Sequence, residues 1–218
     1  MKGLLVKDFR YILSQKSSFI IFVALGLFFL LTGEEVGFGV MYAMLMMSIF
    51  STNSIALDSH ENGMAFLLTL PFKRKYYVLE KYLFSFVIIM LMGVVMAVLT
   101  FVCNALGFTA FTAEAFKEAL LVGIAFGMVM ISLMIPVLVI FGVEKSRVAI
   151  VVIMGISFAL YYVITTVFGD RLDSVPQFLM KLDSLSNLQT FLLVGGILLV
   201  LVTVSILITI KGLDKKEY

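Results

Sequence analysis

Residues 82–113 read YLFSFVIIMLMGVVMAVLTFVCNALGFTAFTA, and no residue in this stretch carries a charge. A helix needs about 20 apolar residues to cross a hydrocarbon core of about 30 Å. This stretch would measure about 48 Å if all of it were helical, which is too long for one simple crossing and too short for two. We therefore predict one membrane span near 82–105, followed by a membrane-dipping or extracellular continuation around Cys103–Ala113.

Uncharged stretches of the same character recur along the chain. They cover residues 17–33, 36–57, 119–143, 148–169 and 184–210, the last with a span near 190–210. The chain is 62% hydrophobic and 14% charged, whereas a soluble domain has about 25% charged residues. Backbone polar groups in lipid must be hydrogen-bonded within their own segment. We therefore predict an all-α polytopic membrane protein, with six transmembrane helices in a single domain over residues 1–218.

The basic residues are unevenly divided between the two sides of this predicted topology. Of the 16 Lys and Arg residues, 13 lie in the N-terminal segment, the second-to-third loop, the fourth-to-fifth loop and the C-terminal tail. Loops rich in Lys and Arg stay on the cytoplasmic side, so both termini are predicted to be cytoplasmic. Glu34-Glu35, Glu114–Glu118 and Asp170–Asp183 are predicted to lie outside.

The N-terminal residues 1–16 are predicted to form an amphipathic helix in the membrane interface. On a helix over 4–13, one arc is apolar and two basic side chains lie opposite. The apolar arc holds Leu5, Val6, Phe9, Ile12 and Leu13, and the basic residues are Lys7 and Arg10. An apolar face of this kind packs against the acyl chains. The alternative is a simple basic anchor for the first span.

Several classes of function are disfavoured by residues that the sequence lacks. There is no G-x-x-x-x-G-K-[ST] motif, so no ATP site is predicted in this chain. One His, His60, and one Cys, Cys103, offer neither a metal site nor a convergent catalytic set. The predicted spans contain no Asp, Glu, Lys, Arg or His, which disfavours a proton-driven carrier. The basic residues lie at span ends, so no nucleic-acid partner is expected.

Polar and small residues within the spans leave two interpretations open. Ser48 and Ser51 lie one turn apart in the second span, and Thr165 lies in the fifth. They are candidate residues for lining a cavity, although ordinary hydrogen bonding between helices is the favoured explanation for such residues. Gly123-x-x-x-Gly127 in the fourth span is a close-packing motif.

The loop between the second and third spans is the most distinctive part of the sequence. Residues 58–81 read DSHENGMAFLLTLPFKRKYYVLEK. A short helix is predicted over Gly63–Leu70, because Pro71 cannot continue a helix and disfavours helical geometry in the residue before it. An apolar helix in a cytoplasmic loop must bury its face on the membrane or in a partner protein.

The residues of this loop resemble a known signature. Asp58, Gly63, Leu70-Pro71, Arg74, Val78 and Lys81-Tyr82 are similar to the acid–Gly–Leu-Pro–Arg–Val–Lys-Tyr pattern between the second and third spans of small permeases. These permeases are six-span subunits of type-2 ABC exporters, a family that includes exporters of phenol-soluble-modulin-like peptide toxins. The resemblance extends over the whole chain. Met64 stands where related loops often carry Trp.

The resemblance implies partners and a mechanism. The loop helix is implied to be a coupling helix that docks on a separate ATP-binding subunit, and two permeases with two such subunits form the working unit. ATP and magnesium would bind the partner, and no cofactor is expected in this chain. The implied location is the bacterial plasma membrane. An amphipathic peptide or drug-like substrate would cross at the interface between two copies.

Individual residues receive roles on the same basis. The residues predicted to dock on the ATPase are Asp58, Glu61, Gly63, Met64, Phe66 and Leu67. The residues predicted to anchor the loop are Pro71, Arg74 and Lys81, with neighbouring basic side chains at the lipid headgroups. No catalytic residue is predicted. The alternative function is an antibiotic- or toxin-immunity membrane protein that binds its ligand without transport.

Overall fold

The computed structural model describes residues 2–32, 36–59, 63–64, 67, 73–109, 112–167 and 187–215. This part of the chain is helical and contains no strand, which confirms the all-α prediction for it. The helices are α1 (Lys2–Ser14), α2 (Lys16–Thr32), α3 (Val36–Ser51), α4 (Asn53–Ser59), α5 (Arg74–Ala105), α6 (Ala113–Val167) and α7 (Asn187–Asp214).

The helices include several that are suited to crossing a membrane. Within the described ranges, four stretches are long and apolar enough: Gly37–Ser59, Arg74–Ala105, Ala113–Val143 and Phe191–Asp214. Helices α1 and α2 meet at a bend of 68° and make a fifth candidate if the pair is one span. The chain is therefore a multi-pass membrane protein. Six crossings remain a prediction, and the end of the predicted span 148–169 lies outside the described residues.

The long uncharged stretch contains a helix end. Helix α5 stops at Ala105, and Gly107 adopts a φ of 76°. The N–H of Phe108 donates to the carbonyl of Cys103 at 3.0 Å, and the N–H of Gly107 donates to Asn104 at 3.1 Å. This is the Schellman arrangement, in which a left-handed glycine closes the last turn of a helix. The chain then turns towards α6.

Helix α6 is interrupted at Gly142, which has non-helical backbone angles of φ 76° and ψ 170°. Glycine adopts such a left-handed φ without the steric cost that a Cβ imposes. The interruption falls just before the charged residues Glu144 and Lys145. A long apolar helix therefore ends and a second helical segment begins at the point where the sequence becomes polar.

The apolar core lies between α3, α5 and α6. Helix α3 contacts α2, α5 and α6, and its side chains Val40, Ala43, Met44 and Met47 are buried. Met92 and Met96 of α5 are buried in the same cluster. Methionine fills irregular gaps between helices because its side chain is unbranched and flexible. These methionines therefore pack the core and do not face lipid.

Glycines set the closest helix contacts. A Cβ on Gly39 would lie 2.6 Å from the carbonyl oxygen of Gly26, so the backbones of α2 and α3 are in direct contact. The Gly123-x-x-x-Gly127 motif receives Met44 of α3 at the first glycine and Ile89 of α5 at the second. Small residues allow such close approach between helices in lipid.

The face that α1 buries differs from the predicted one. Leu4, Asp8 and Ile12, at spacings of one turn, are all buried. Val6 and Leu13, which were assigned to the apolar arc, are 51% and 62% exposed. Contact of these two residues with acyl chains stays a prediction, whereas the face that α1 buries within the protein is centred on an acidic side chain, Asp8. The Asp8 side chain is part of the candidate functional site.

Candidate functional site

Five charged side chains gather where α1, α4 and α5 meet, and we call them the ion cluster. Its members are Lys7 and Asp8 of α1, Asp58 of α4, and Glu80 and Lys81 of α5. All but Lys7 are almost fully buried. Buried charges are tolerated in proteins when they are paired and hydrogen-bonded. The position of each partner therefore decides what the cluster can do.

Lys81 lies at the centre of the ion cluster. Its Nζ atom donates to Asp8 Oδ2 and to Ser54 Oγ, the latter at 3.1 Å. It lies 2.8 Å from Asp58 Oδ2 and 5.3 Å from the centroid of the Tyr77 ring. An ammonium group has three hydrogens to donate, and these three oxygens can accept all of them. One lysine thus ties α5 to both α1 and α4.

Asp58 is the second hub of the cluster. It accepts a hydrogen bond from Lys7 Nζ, and the Tyr77 hydroxyl donates to its Oδ2 atom at 3.1 Å. Lys7 also lies 3.1 Å from Asp8 Oδ1. Burial lowers the pKa of Lys7, but the hydrogen bond and charge of Asp58, with the charge of Asp8, outweigh it and raise that pKa. Lys7 therefore remains a cation in this site.

Glu80 is the member of the cluster without a matched partner. Its side chain has no exposed surface, and its nearest cation is Lys81, at 4.0 Å. Within the described part of the chain, neither of its carboxylate oxygens accepts a hydrogen bond. Among the described residues, the ion cluster therefore holds two cations, two carboxylates that pair with them, and one buried carboxyl group that has no hydrogen-bond donor.

The loop is attached directly to the ion cluster. Gly63 and Met64 have helical backbone, and a Cβ on Gly63 would lie 2.8 Å from the carbonyl oxygen of Asp58. Met64 is only 3% exposed and belongs to the apolar core, and Leu67 packs partly against it. Gly63, Met64 and Leu67 therefore lie against the helices and do not extend into solvent.

A second joint connects α5 to α7, and we call it the hydroxyl joint. The Tyr82 hydroxyl lies 2.6 Å from Ser205 Oγ and 3.2 Å from Thr209 Oγ1. Ser205 in turn donates to the carbonyl oxygen of Ser132 in α6 at 2.5 Å. At the start of α5, Arg74 donates to the carbonyl oxygen of Leu213 at 2.7 Å. Lys81 and Tyr82, consecutive residues, therefore serve different joints.

Two predicted roles in the loop need correction. Asp58 is 5% exposed and bonded within the chain, so a partner subunit cannot reach its carboxylate in this conformation. The same holds for the side chain of Met64. Lys81, which was predicted to anchor the loop, is 1% exposed and pairs with the carboxylates of Asp8 and Asp58. Arg74, a second predicted anchor, donates to a backbone carbonyl oxygen of α7.

Two of the candidate cavity residues lie inside the packed helices. Ser48 and Ser51 are buried, and each donates to the carbonyl oxygen three residues earlier in its own helix. Their hydroxyl groups therefore bond within α3, and a place on a cavity wall stays a prediction. The side chain of Thr165 lies outside the part that the structure describes, as do Glu61, Phe66 and Pro71 entirely.

Four residues of the site were missed in the sequence: Lys7, Asp8, Tyr77 and Glu80. Helix periodicity could have identified two of them, Asp8 and Tyr77, as buried residues. Asp8 lies one turn from both Leu4 and Ile12, and Tyr77 lies one turn from Lys81, so each shares a helix face with buried residues. A charged residue within an apolar face indicates a buried partner on another helix.

Apolar helices of spanning length and a charged cluster at the root of one loop define a polytopic helical membrane protein. A family model described as ABC-2 family transporter protein matches residues 3–213. The chain therefore belongs to the ABC-2 transporter family and is a membrane permease component of an ABC transporter. Membership of this family implies an ATP-binding partner subunit. No curated protein and no solved structure matches the chain.

Proposed function

We propose that this chain is the permease subunit of an ATP-driven exporter, and that the loop over residues 58–81 is its joint to the ATPase subunit. The observation that carries this proposal is the ion cluster, which joins both ends of the loop. Asp58 opens the loop, Lys81 closes it, and their side chains lie 2.8 Å apart. A loop whose two ends are fastened together transmits a displacement to the adjoining helices.

The mechanical argument depends on what the loop is fastened to. Lys81 belongs to α5, which runs on as a predicted span, and Asp8 belongs to α1. A push on the loop helix would therefore move α1 and α5 together. An unfastened loop would dissipate the same displacement, because a short helix has few internal bonds and is marginal by itself. Docking of Glu61 and Phe66 on the partner remains part of this proposal.

The proposed cargo is amphipathic or apolar, such as a membrane-active peptide. The uncharged runs that form the predicted spans, for example 82–113, offer no fixed charge with which to hold a charged sugar or nucleotide. We further propose that two copies form the pathway at their interface, with walls from the first, second and fifth spans. A deletion strain should then accumulate the peptide or become sensitive to it.

The proposed orientation places both termini and the loop in the cytoplasm of a bacterial cell. Single cysteines at Ser59 and Ser174 in a Cys103→Ala background test it with an impermeant maleimide on intact cells. Labelling is expected at residue 174 and not at residue 59. The reverse pattern would overturn the orientation. Ser59 ends α4 and its hydroxyl bonds within that helix, so its substitution leaves the ion cluster intact.

The central experiment uses a Phe66→Asp variant of the full chain, co-expressed with its ABC ATP-binding subunit. We expect the permease to insert normally while retention of the ATPase falls. Phe108→Asp is the matched control, because Phe108 is 68% exposed and lies in the turn after α5, at the other end of that helix from the loop. Full partner binding and full export in Phe66→Asp would refute the joint.

A Leu67→Asp variant separates docking from folding. Leu67 packs partly against the apolar core, so its substitution is expected to reduce the amount of folded permease as well as partner binding. An immunity protein that only binds its ligand would show no dependence on the ATPase subunit. Protection from the toxin in cells that lack this ATPase would therefore favour the immunity function.

A further inference from the structure

We propose that Glu80 is a proton-binding site, and that the ion cluster is assembled with Glu80 as a neutral carboxylic acid. The ligand of this site is a proton, and the site is built from the side chains of three helices. It lies in the first two turns of α5, before the uncharged stretch that begins at Tyr82.

The first argument is the number of donors. The three hydrogens of the Lys81 ammonium are accounted for by Asp8, Asp58 and Ser54. No hydrogen is left for Glu80, whose carboxylate lies at 4.0 Å from the same nitrogen. Glu80 is fully buried, and a carboxylate buried without a donor is far less stable than the protonated acid.

The second argument is the balance of charge. Among the residues that the structure describes, the charged groups that face Glu80 are Lys7 and Asp8 from α1, Asp58 from α4, and Lys81 from its own helix. With these four groups ionised, their charges cancel. An ionised Glu80 would leave a net negative charge between α1 and α5, whereas a proton on Glu80 leaves the cluster neutral. Burial and neighbouring carboxylates both favour the protonated form of a carboxyl group.

A metal ion is a less suitable ligand than a proton. Among the residues that the structure describes, no group of three or more His, Cys, Asp or Glu side chains could hold a metal ion. The three carboxyl groups of the cluster surround an ammonium group, which already occupies the place of a cation. A proton needs no coordination shell, and one carboxyl oxygen is enough to hold it.

The site lies at the root of the loop, so its occupancy affects how α1 and α5 are held together. Loss of the proton would place an unmatched charge beside Asp8 and Asp58. The assembled joint therefore depends on a bound proton, whatever cargo the permease moves. This inference does not require the docking proposal, since it concerns charges within one chain.

Infrared spectroscopy of the full chain in lipid nanodiscs tests the proposal directly. The wild type is expected to show the carbonyl stretch of a buried protonated carboxyl group at neutral pH. This band should disappear in Glu80→Gln, which is isosteric with the neutral acid, and persist in Glu114→Gln. Glu114 is the matched control because it is exposed at the start of α6.

Thermal unfolding provides a second readout. Glu80→Gln is expected to unfold within about 2 °C of the wild type, whereas Asp58→Asn, which removes a paired charge, should lower the midpoint by several degrees. Absence of the carboxyl band in the wild type would overturn the proposal, as would a loss in Glu80→Gln as large as that in Asp58→Asn. If Glu80→Gln does not accumulate, isotope-labelled glutamate in the wild type must shift the band.

Discussion

Lys81 and Tyr82 are neighbours in the sequence, yet they join α5 to the rest of the molecule by different chemistry. Lys81 enters the ion cluster and meets carboxylates from α1 and α4, whereas Tyr82 enters the hydroxyl joint and meets Ser205 and Thr209 of α7. Removing one member of a buried ion pair strands a charge. Removing one hydroxyl strands only a neutral group, which costs much less.

This difference indicates distinct tasks for the two joints. The ion cluster can hold only one arrangement of helices without leaving charges unmatched, so it suits elements that move as a unit. The hydroxyl joint can exchange partners at small cost, because serine, threonine and tyrosine hydroxyls both donate and accept. Helix α7 contributes few buried residues along its spanning length, which fits a more loosely held element.

The largest expected effect is that of Lys81→Met. This change leaves Asp8 and Asp58 buried without their shared cation, at a cost of about 3–5 kcal/mol in the free energy of unfolding. Lys75→Met is the control, because Lys75 is exposed and should tolerate the change. Denaturant unfolding in micelles measures both. A Lys81→Met protein as stable as the wild type would show that the cluster is not a structural joint.

Tyr82→Phe is expected to have an intermediate effect. It removes the hydroxyl shared with Ser205 and Thr209 and keeps the ring, so the expected loss is about 1 kcal/mol. Tyr76→Phe serves as the control, since Tyr76 is partly exposed. The double variant Lys81→Met/Tyr82→Phe sharpens the comparison. If the two joints are independent, the two losses add within about 0.5 kcal/mol.

The smallest effect is expected for Lys7→Gln. The Lys7 side chain is 33% exposed, and Asp58 keeps its contacts with Lys81 and Tyr77 when Lys7 is removed. A loss below about 1 kcal/mol is expected, as for pairs near the surface. The same unfolding assay measures it, and added salt should reduce the difference from the wild type. A loss as large as that of Lys81→Met would mean that Lys7 is the true centre.

The sequence predicted the helical membrane fold well, because the signal is local. A helix in lipid requires a long uncharged run, and such runs are directly readable around residues 36–57 or 82–105. The end of α5 lies at Ala105, where the predicted span 82–105 also ends. It depends on Gly107 closing the helix within an uncharged stretch, and charge patterning gives no information about such an end.

The candidate site could not be predicted from local sequence patterns, because it is formed by ion pairs between residues that are distant in the sequence. Asp58 and Lys81 belong to the loop signature, from which Asp58 was predicted to contact a partner subunit and Lys81 to anchor the loop. In the structure Lys81 pairs with both Asp58 and Asp8, and Asp8 lies 73 residues from Lys81 along the chain. Helix periodicity predicts that Asp8 is buried, but it does not identify the residue with which Asp8 pairs.

The central claim is that the ion cluster transmits a displacement of the loop to α1. Its most direct test is the amount of an amphipathic peptide exported per ATP hydrolysed by the permease–ATPase complex in vesicles, with Asp8→Asn compared to the exposed control Asp214→Asn. We predict that Asp8→Asn keeps its ATPase partner and hydrolyses ATP while export per ATP falls about tenfold. Unchanged export per ATP in Asp8→Asn would contradict the account.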